Sequence, residues 1–372
     1  MTRIICTIGP SSETIETLRS MAENGMAVAR LNFSHGTHEQ HARRIENIRT
    51  VNEKYGHDVK ILQDLEGYRI RVGKLPKDRP VPLEKDDEAV LVPAVSETSK
   101  SGEHGPAGDK RTGSANVDSA DGNGSDAGQH KRWIIPFDYE GDLTKFNPGY
   151  EIFIDDGNIL LCVLSSSRKR VSARVVLPGL VRNYKGINIP QMKFIGESLS
   201  TKDRRDILFG IDQRVDLIAQ SFVRDRDDMI RLKKFIREQN YDCPLIAKIE
   251  NREGIDNLED ILAQADGVMV ARGDLGVSLP IYQVPVMQKR IIRLCSRHGK
   301  IDITATQMLE SMTENLRPTR AEVSDVANAV LDGSDYVMLS AETAVGKHPV
   351  ESVRMMRLVI EYTVGEMEGD FF

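Results

Sequence analysis

Two short apolar runs in this chain, Ala247-Lys248-Ile249-Glu250-Asn251 and Val268-Met269-Val270-Ala271-Arg272-Gly273-Asp274, both finish in charged groups. A buried strand reads this way when its body ends at the rim of a parallel barrel. Strand side chains alternate between faces, so Lys248 and Glu250 point one way and Ile249 the other. A cation and a carboxylate then share one pocket. In the second run Gly273 lets the backbone approach a ligand, the turn offers free N–H groups to an anion, and Asp274 adds a second carboxylate. Two carboxylates beside a lysine suit a divalent hard cation holding an anionic substrate. A lone Lys-x-Glu is more often a surface ion pair, and only its recurrence along the chain marks a site.

The pattern recurs. Strands are expected at Arg3–Ile8, from Met26, at Val59–Leu65, Val215–Ser221, Pro244–Ile249, Gly267–Ala271, Ile301–Thr306 and Asp335–Leu339, with helices between them. Gly9-Pro10-Ser11-Ser12 reads as a turn that also caps the first helix. Thr319-Arg320-Ala321-Glu322 has the spacing of a capping box. Polar groups close nearly every strand: Arg30, Asn32 and Ser34 the second, Asp64 the third, Ser221 and Phe222 the fourth, Lys248 and Glu250 the fifth, Arg272 and Asp274 the sixth, Thr306 and Gln307 the seventh, Ser340 and Glu342 the eighth. The fold expected is an α/β chain, a TIM (β/α)8 barrel with its catalytic face at these ends.

A barrel needs roughly 250 residues, and the 372 present leave room for a second domain. Between Lys74 and Gln191 the strand-helix rhythm gives way to short strand-like runs with turn residues, the mark of an inserted β-barrel-like lid domain. The division expected is 1–73 with 190–372 for the barrel and 74–189 for the insert. Asp155-Asp156-Gly157-Asn158 is a hairpin turn. Residues 96–131 are rich in Gly, Ser, Asp and Lys, with Val117 the one large aliphatic, and read as a disordered loop. Lys85-Asp86-Asp87-Glu88 and Arg224-Asp225-Arg226-Asp227-Asp228 read as solvated charge runs.

A net charge of −6 without a basic tract argues against nucleic acid or an anionic membrane as the main partner. No apolar stretch is long enough to cross a bilayer, and the N-terminus enters a strand with no cleavable signal, so a cytoplasmic location is expected. The four cysteines, Cys6, Cys162, Cys243 and Cys295, are widely spaced and read as buried reduced thiols. Arg30, Lys248 and Arg71 point to a phosphate, and no nucleophile-base pair suggests covalent catalysis. Phosphoryl transfer by positioning and charge neutralisation fits. His35 reads equally as a general acid and as a positioning contact.

At these residues the chain resembles the pyruvate kinases. Cys-Thr-Ile-Gly-Pro-Ser-Ser, Val-Ala-Arg-Leu-Asn-Phe-Ser-His-Gly, Ala-Lys-Ile-Glu-Asn, Met-Val-Ala-Arg-Gly-Asp-Leu-Gly, Ala-Thr-Gln-Met-Leu-Glu-Ser-Met and Leu-Ser-Ala-Glu-Thr-Ala stand as in that family. Ile154-Asp155-Asp156-Gly157 and Lys185-Gly186-Ile187-Asn188-Ile189-Pro190 match in the insert. The resemblance implies transfer from phosphoenolpyruvate to ADP, yielding pyruvate and ATP. It implies Glu250 and Asp274 as ligands of Mg²⁺ or Mn²⁺, Lys248 as the charge stabiliser, and Arg30 on the substrate phosphate. Backbone amides of Gly273 and Asp274 meet the substrate carboxylate, and Thr306 stands beside the carbon to be protonated. Asn32, Ser34, Asp64 and the Leu65 carbonyl match monovalent-cation ligands. Asn32, Phe33, Ser34, His35, Arg71 and Lys185 match nucleotide contacts, with the insert acting as a water-excluding lid.

The chain also departs from the family. Leu65-Glu66-Gly67-Tyr68-Arg69 replaces Thr-Lys-Gly-Pro-Glu, and Arg69 puts a fixed positive charge where K⁺-dependent members carry glutamate. Independence of K⁺ is the expectation. Val345 replaces a nucleotide-contacting lysine, and Asp302 enters the seventh strand where an apolar residue is usual. The sequence stops after the eighth helix, so regulation through the family's C-terminal domain is expected to be missing, and a homo-oligomer is expected from the barrel helices. Two other readings stand: a catalytically weak homologue that binds phosphoenolpyruvate or a partner subunit, and a metal-dependent lyase forming pyruvate enolate on the same barrel.

Overall fold

A computed structural model describes residues 2–94, 130–139, 141–192 and 199–367. The loop expected over 96–131 falls outside them except for His130 and Lys131. The described chain divides into two compact units, one from residues 2–69 and 199–367, the other from 70–192. Ile70 and Arg71 pair with Ile187 and Gly186, which makes them sheet members of the second unit.

The first unit is a closed barrel of eight parallel strands: β1 (Arg3–Thr7), β2 (Met26–Asn32), β3 (Lys60–Asp64), β4 (Leu217–Gln220), β5 (Leu245–Ile249), β6 (Gly267–Ala271), β7 (Ile301–Ala305) and β8 (Tyr336–Leu339). Each strand lies beside its neighbours in sequence, and β8 closes on β1 with Arg3 opposite Tyr336 and Cys6 opposite Leu339. Strand alternation sorts the apolar side chains into two cores. Ile5, Val28, Leu62, Ala219, Ile246, Met269, Ile303 and Met338 fill the barrel interior. Ile4, Cys6, Ala29, Leu31, Ile61, Ile218, Ala247, Ile249, Val268, Val270, Val337 and Leu339 pack outward against the helices.

The first helix is Ile15–Glu23, capped by Thr14, whose side chain accepts the Thr17 N–H. The cap expected at Ser11-Ser12 is displaced because the buried Ser12 hydroxyl is taken by the Gly9 N–H at 3.1 Å. Thr319 and Glu322 form the expected capping box on helix Arg320–Leu331. The turn expected after β6 is instead a helix, Arg272–Ser278, starting at the strand end.

In the second unit a seven-stranded sheet runs from Ile70–Arg71 at one edge to Arg132–Phe137 at the other. The edges meet through the Val72–Phe137 bridge, the Gly73 N–H to Pro136 carbonyl bond of 2.8 Å and the Asp138 N–H to Arg71 carbonyl bond of 3.0 Å, giving a barrel-like closure. Asp155, Asp156 and Gly157 all take positive φ, which turns strand Glu151–Ile154 into Ile159–Ser166.

Both charge runs hold a buried acid, against expectation. Asp87 accepts the N–H groups of Glu84 and Lys131 and the Trp133 indole N–H. Asp228 is fully buried between the guanidinium groups of Arg224 and Arg231, at 2.9 and 2.6 Å. Cys6 and Cys295 are buried and Cys162 and Cys243 partly so, all as free thiols. Burial pushes the Cys243 and Cys295 thiols up to about 12, far from reactive thiolates. Among the described residues no helix is long and apolar enough to cross a membrane.

Candidate active site at the strand ends of the barrel

The alternation that packs the barrel interior also builds the site. Two residues beyond the interior Ile5, Val28, Leu62, Ala219 and Ile246, on the same face, stand Thr7, Arg30, Asp64, Ser221 and Lys248. A polar layer thus caps an apolar one at the C-terminal mouth.

Lys248 Nζ lies 2.6 Å from the Ser221 hydroxyl, 3.0 Å from Asp64 Oδ1 and 3.1 Å from Glu250 Oε1. Its three protons have three acceptors. Asp64 Oδ2 accepts from Arg30 Nε at 2.6 Å, and Arg30 Nη1 donates to the Thr7 hydroxyl at 2.9 Å. Asp64 is fully buried, and Arg30 and Lys248 nearly so. Burial alone would raise the Asp64 carboxyl, but Lys248 and Arg30 outweigh it and hold the group below its ordinary value. Burial likewise pulls Lys248 down, and Asp64 with Glu250 pushes it back above its ordinary value. Both groups stay charged at neutral pH. The Ser221 hydroxyl donates to the Leu65 carbonyl at 2.7 Å, tying this cluster to the chain leaving β3.

Glu250 is positioned by backbone. Its Oε2 accepts the Phe222 N–H at 2.6 Å, and its carbonyl accepts the Ser278 hydroxyl at 2.9 Å. Burial pushes its carboxyl up against the pull of Lys248, and the negative charge of Asp274 adds to the rise. Asp274 is paired with Arg69, Nη2 to Oδ1, at 3.1 Å. Among the described residues no three His, Cys, Asp or Glu side chains gather as a metal cage. Two hard carboxylates at successive strand ends nevertheless fit Mg²⁺, which takes one or two from protein and completes its shell with water and substrate phosphates.

Thr306 is held in the left-handed region at φ 71°, a strained setting for a β-branched residue. Arg272 fixes it there, donating to its carbonyl from Nε and Nη2 at 3.2 and 2.6 Å while Nη1 pairs with Asp325 at 2.7 Å. The Thr306 hydroxyl accepts the Gly273 N–H at 2.8 Å. The Gly273 amide is therefore engaged, not free as the sequence suggested, and Arg272 is a scaffold group. Glu342 is another: fully buried, it accepts the N–H groups of Leu309 and Ser340 at 3.0 and 2.7 Å.

Of the other expected residues, Asn32 uses its side-chain oxygen to accept the Ser34 N–H at 3.1 Å. Phe33 is buried, stacked on His41 with ring centroids 4.1 Å apart, and its carbonyl accepts from Lys202 at 2.6 Å. His35 is exposed and its carbonyl meets the His41 ring at 2.9 Å. In the second unit Arg71 donates to the Tyr184 carbonyl at 3.1 Å, and Lys185 pairs with Asp155 at 2.7 Å. Two positioning groups escaped the sequence reading. Ser278 lies on the unexpected helix, and Asp203 accepts the Gly67 N–H at 3.1 Å from 136 positions away. A serine or aspartate in an amphipathic helix carries no local sign of such a task.

Fold and site together define a (β/α)8 barrel with a buried, internally neutralised charge cluster at its C-terminal mouth. The family model for the barrel domain of pyruvate kinase matches residues 1–104 and 113–353. Pyruvate kinases of Geobacillus stearothermophilus and Bacillus licheniformis are 41% and 42% identical over 99% and 95% of this chain. That of Thermococcus litoralis is 44% identical over 97% of it. The chain belongs to the pyruvate kinase family. It spans 57% and 56% of the length of the first two relatives and 69% of the third.

Proposed function

We propose that this chain catalyses Mg²⁺- or Mn²⁺-dependent phosphoryl transfer from phosphoenolpyruvate to ADP. The observation that carries the reading is Lys248, a buried ammonium kept charged by Asp64 and Glu250 at the barrel mouth. An ADP β-phosphate oxygen bonds to phosphorus as the bond from phosphorus to the enol oxygen breaks, and the enolate left behind takes a proton on carbon. Negative charge migrates throughout, so fixed cations set in advance are what such a reaction needs. In this reading Arg30 binds the substrate phosphate, Lys248 neutralises the moving group and the enolate, and Thr306 stands beside the carbon. The Gly273 and Asp274 amides hold the substrate carboxylate, for which Gly273 exchanges its bond to Thr306. Glu250 and Asp274 hold the divalent cation, which when bound neutralises phosphoryl oxygens.

Asn32, Phe33, Ser34, His35, Arg71 and Lys185 are the nucleotide contacts of the same proposal. Asn32, Ser34, Asp64 and Leu65 are its monovalent-cation set. We assign the chain independence of K⁺, supported by Arg69 and by the two cations already on Asp64. A strong K⁺ requirement against a tetraalkylammonium control refutes that part. A cytoplasmic homo-oligomer belongs to the proposal too, supported by the exposed Ile281, Tyr282 and Val286.

The test is ATP formation from phosphoenolpyruvate and ADP with Mg²⁺. Lys248→Met is expected to lower kcat on the order of 10²-fold or more; unchanged turnover removes Lys248 from the mechanism. The Arg69–Asp274 pair favours a second reading, a homologue that binds substrate and turns over poorly. Phosphoenolpyruvate binding with no ATP formed decides for it.

A further inference from the structure

In the Arg69–Asp274 pair an expected metal ligand is already engaged by a cation from a segment where the chain departs from its family pattern. The Nη2–Oδ1 distance is 3.1 Å, and the side chains are 21% and 23% exposed, so the pair is largely withdrawn from water. An ion pair so placed is screened far less than one on the open surface. The guanidinium also lies over an aromatic ring, its carbon 5.8 Å from the Phe222 ring centroid. Phe222 is itself fixed, with φ 55° and its N–H on Glu250 Oε2. Each carboxylate of the pair thus has its own internal cation: Lys248 for Glu250, Arg69 for Asp274.

The two cations differ in what can move them. Lys248 is nearly buried and tied to three acceptors, whereas Arg69 lies on the chain that leaves β3 and keeps a fifth of its side chain in water. We propose that Arg69 is a built-in competitor of the divalent cation, occupying Asp274 while the metal is away and giving it up when the metal binds. The inference rests on the reading that Glu250 and Asp274 hold the cation. It makes metal affinity a property set in part by residue 69, since any ligand that must displace a bound partner loses affinity by the free energy of that partner's contact.

Mn²⁺ binding to the purified 372-residue chain, followed by the electron paramagnetic resonance signal of free Mn²⁺ with no substrate present, tests this directly. Arg69→Gln is expected to bind Mn²⁺ more tightly than wild type by about fivefold or more, the worth of one partly buried ion pair. Lys347→Gln changes net charge equally at a pair remote in sequence, Lys347–Glu314, and is expected to stay within about twofold. Circular dichroism melts verify that each variant is folded. Equal or weaker Mn²⁺ binding by a folded Arg69→Gln, with binding still abolished by Asp274→Asn, overturns the competition and leaves the metal site standing. Mn²⁺ binding that is absent in wild type, or indifferent to Asp274→Asn, overturns the metal site and the competition with it.

Discussion

Ser221 is a small side chain on which the geometry of the charged cluster turns. Its hydroxyl accepts a proton from Lys248 at 2.6 Å and passes its own to the Leu65 carbonyl at 2.7 Å, so one oxygen aligns a cation on β5 with the chain leaving β3. Removing it leaves a buried ammonium one acceptor short and a buried carbonyl one donor short. Each such loss carries about 1–3 kcal/mol, while the cavity left by one oxygen is slight. Ser221→Ala is accordingly expected to lower unfolding free energy by about 2 kcal/mol in urea titrations. It should reduce turnover less than Lys248→Met does, because Asp64 and Glu250 still hold the lysine charged. A loss below about 0.5 kcal/mol would mean that water takes the place of the hydroxyl. Gly67 is tied to the same serine. Its φ is 70°, and a Cβ there would lie 2.7 Å from the Ser221 carbonyl oxygen, so neither its backbone nor its surroundings admit a side chain.

The seventh strand shows how an element can depart from its family without touching the site. Asp302, unexpected in an apolar strand, faces the helices near the N-terminal end of β7, the face of such barrels associated with stability, not catalysis. Its carboxyl meets the Ser334 hydroxyl at 2.6 Å, and that hydroxyl also lies 3.0 Å from the Tyr336 carbonyl and 3.0 Å from Thr304. The Ser334 hydroxyl donates to Asp302, which favours the charged carboxylate, but burial outweighs that bond. Burial pushes the Asp302 carboxyl up to about 7, with the charge of Asp335 adding to it. The folded chain therefore binds a proton that the unfolded chain has released between about pH 4 and pH 7. Stability is fullest at the acid end of that window, falls as pH rises through it, and levels off above it. The difference due to this group is on the order of 4 kcal/mol. Urea unfolding at pH 5 and pH 8 captures about 2.7 kcal/mol of it, because pH 5 already lies above the unfolded value, and Asp302→Asn, which keeps a donor and no charge, should remove this contribution and be the more stable protein at pH 8. The strands were legible in sequence because an apolar run closed by charge is a local pattern. The state of Asp302 was not, nor the burial of Asp87 and Asp228, because those depend on Ser334, Trp133 and the turn geometry around Arg224. The helix at Arg272–Ser278 was hidden by its two glycines, Gly273 and Gly276, which read as turn.

At the scale of the whole molecule the eightfold strand count and the insert were both visible as changes of rhythm, since each is set by segment length and periodicity. What periodicity cannot give is which outer surface stays dry. Ile281, Tyr282 and Val286 are 71%, 76% and 61% exposed, three large apolar side chains within six residues, at the start of a helix whose opposite face packs on the barrel through Ile291, Ile292 and Cys295. Single exposed apolar residues are ordinary, but a contiguous group of this kind marks a contact surface. Most homo-oligomers pair one such patch with its own copy about a twofold axis, so each substitution is felt twice in one interface. The chain is expected to sediment as a dimer or larger assembly at micromolar concentration, and Ile281→Glu with Val286→Glu to sediment as a monomer. Like charges brought face to face and the lost apolar burial both oppose association. The same exposure predicts that the monomer folds: its far-ultraviolet circular dichroism and its pH 5 against pH 8 stability difference should match wild type, because neither side chain contributes to the core. A monomeric wild type excludes the patch as a self-contact, whereas a double variant that remains assembled places the interface on another face of the barrel.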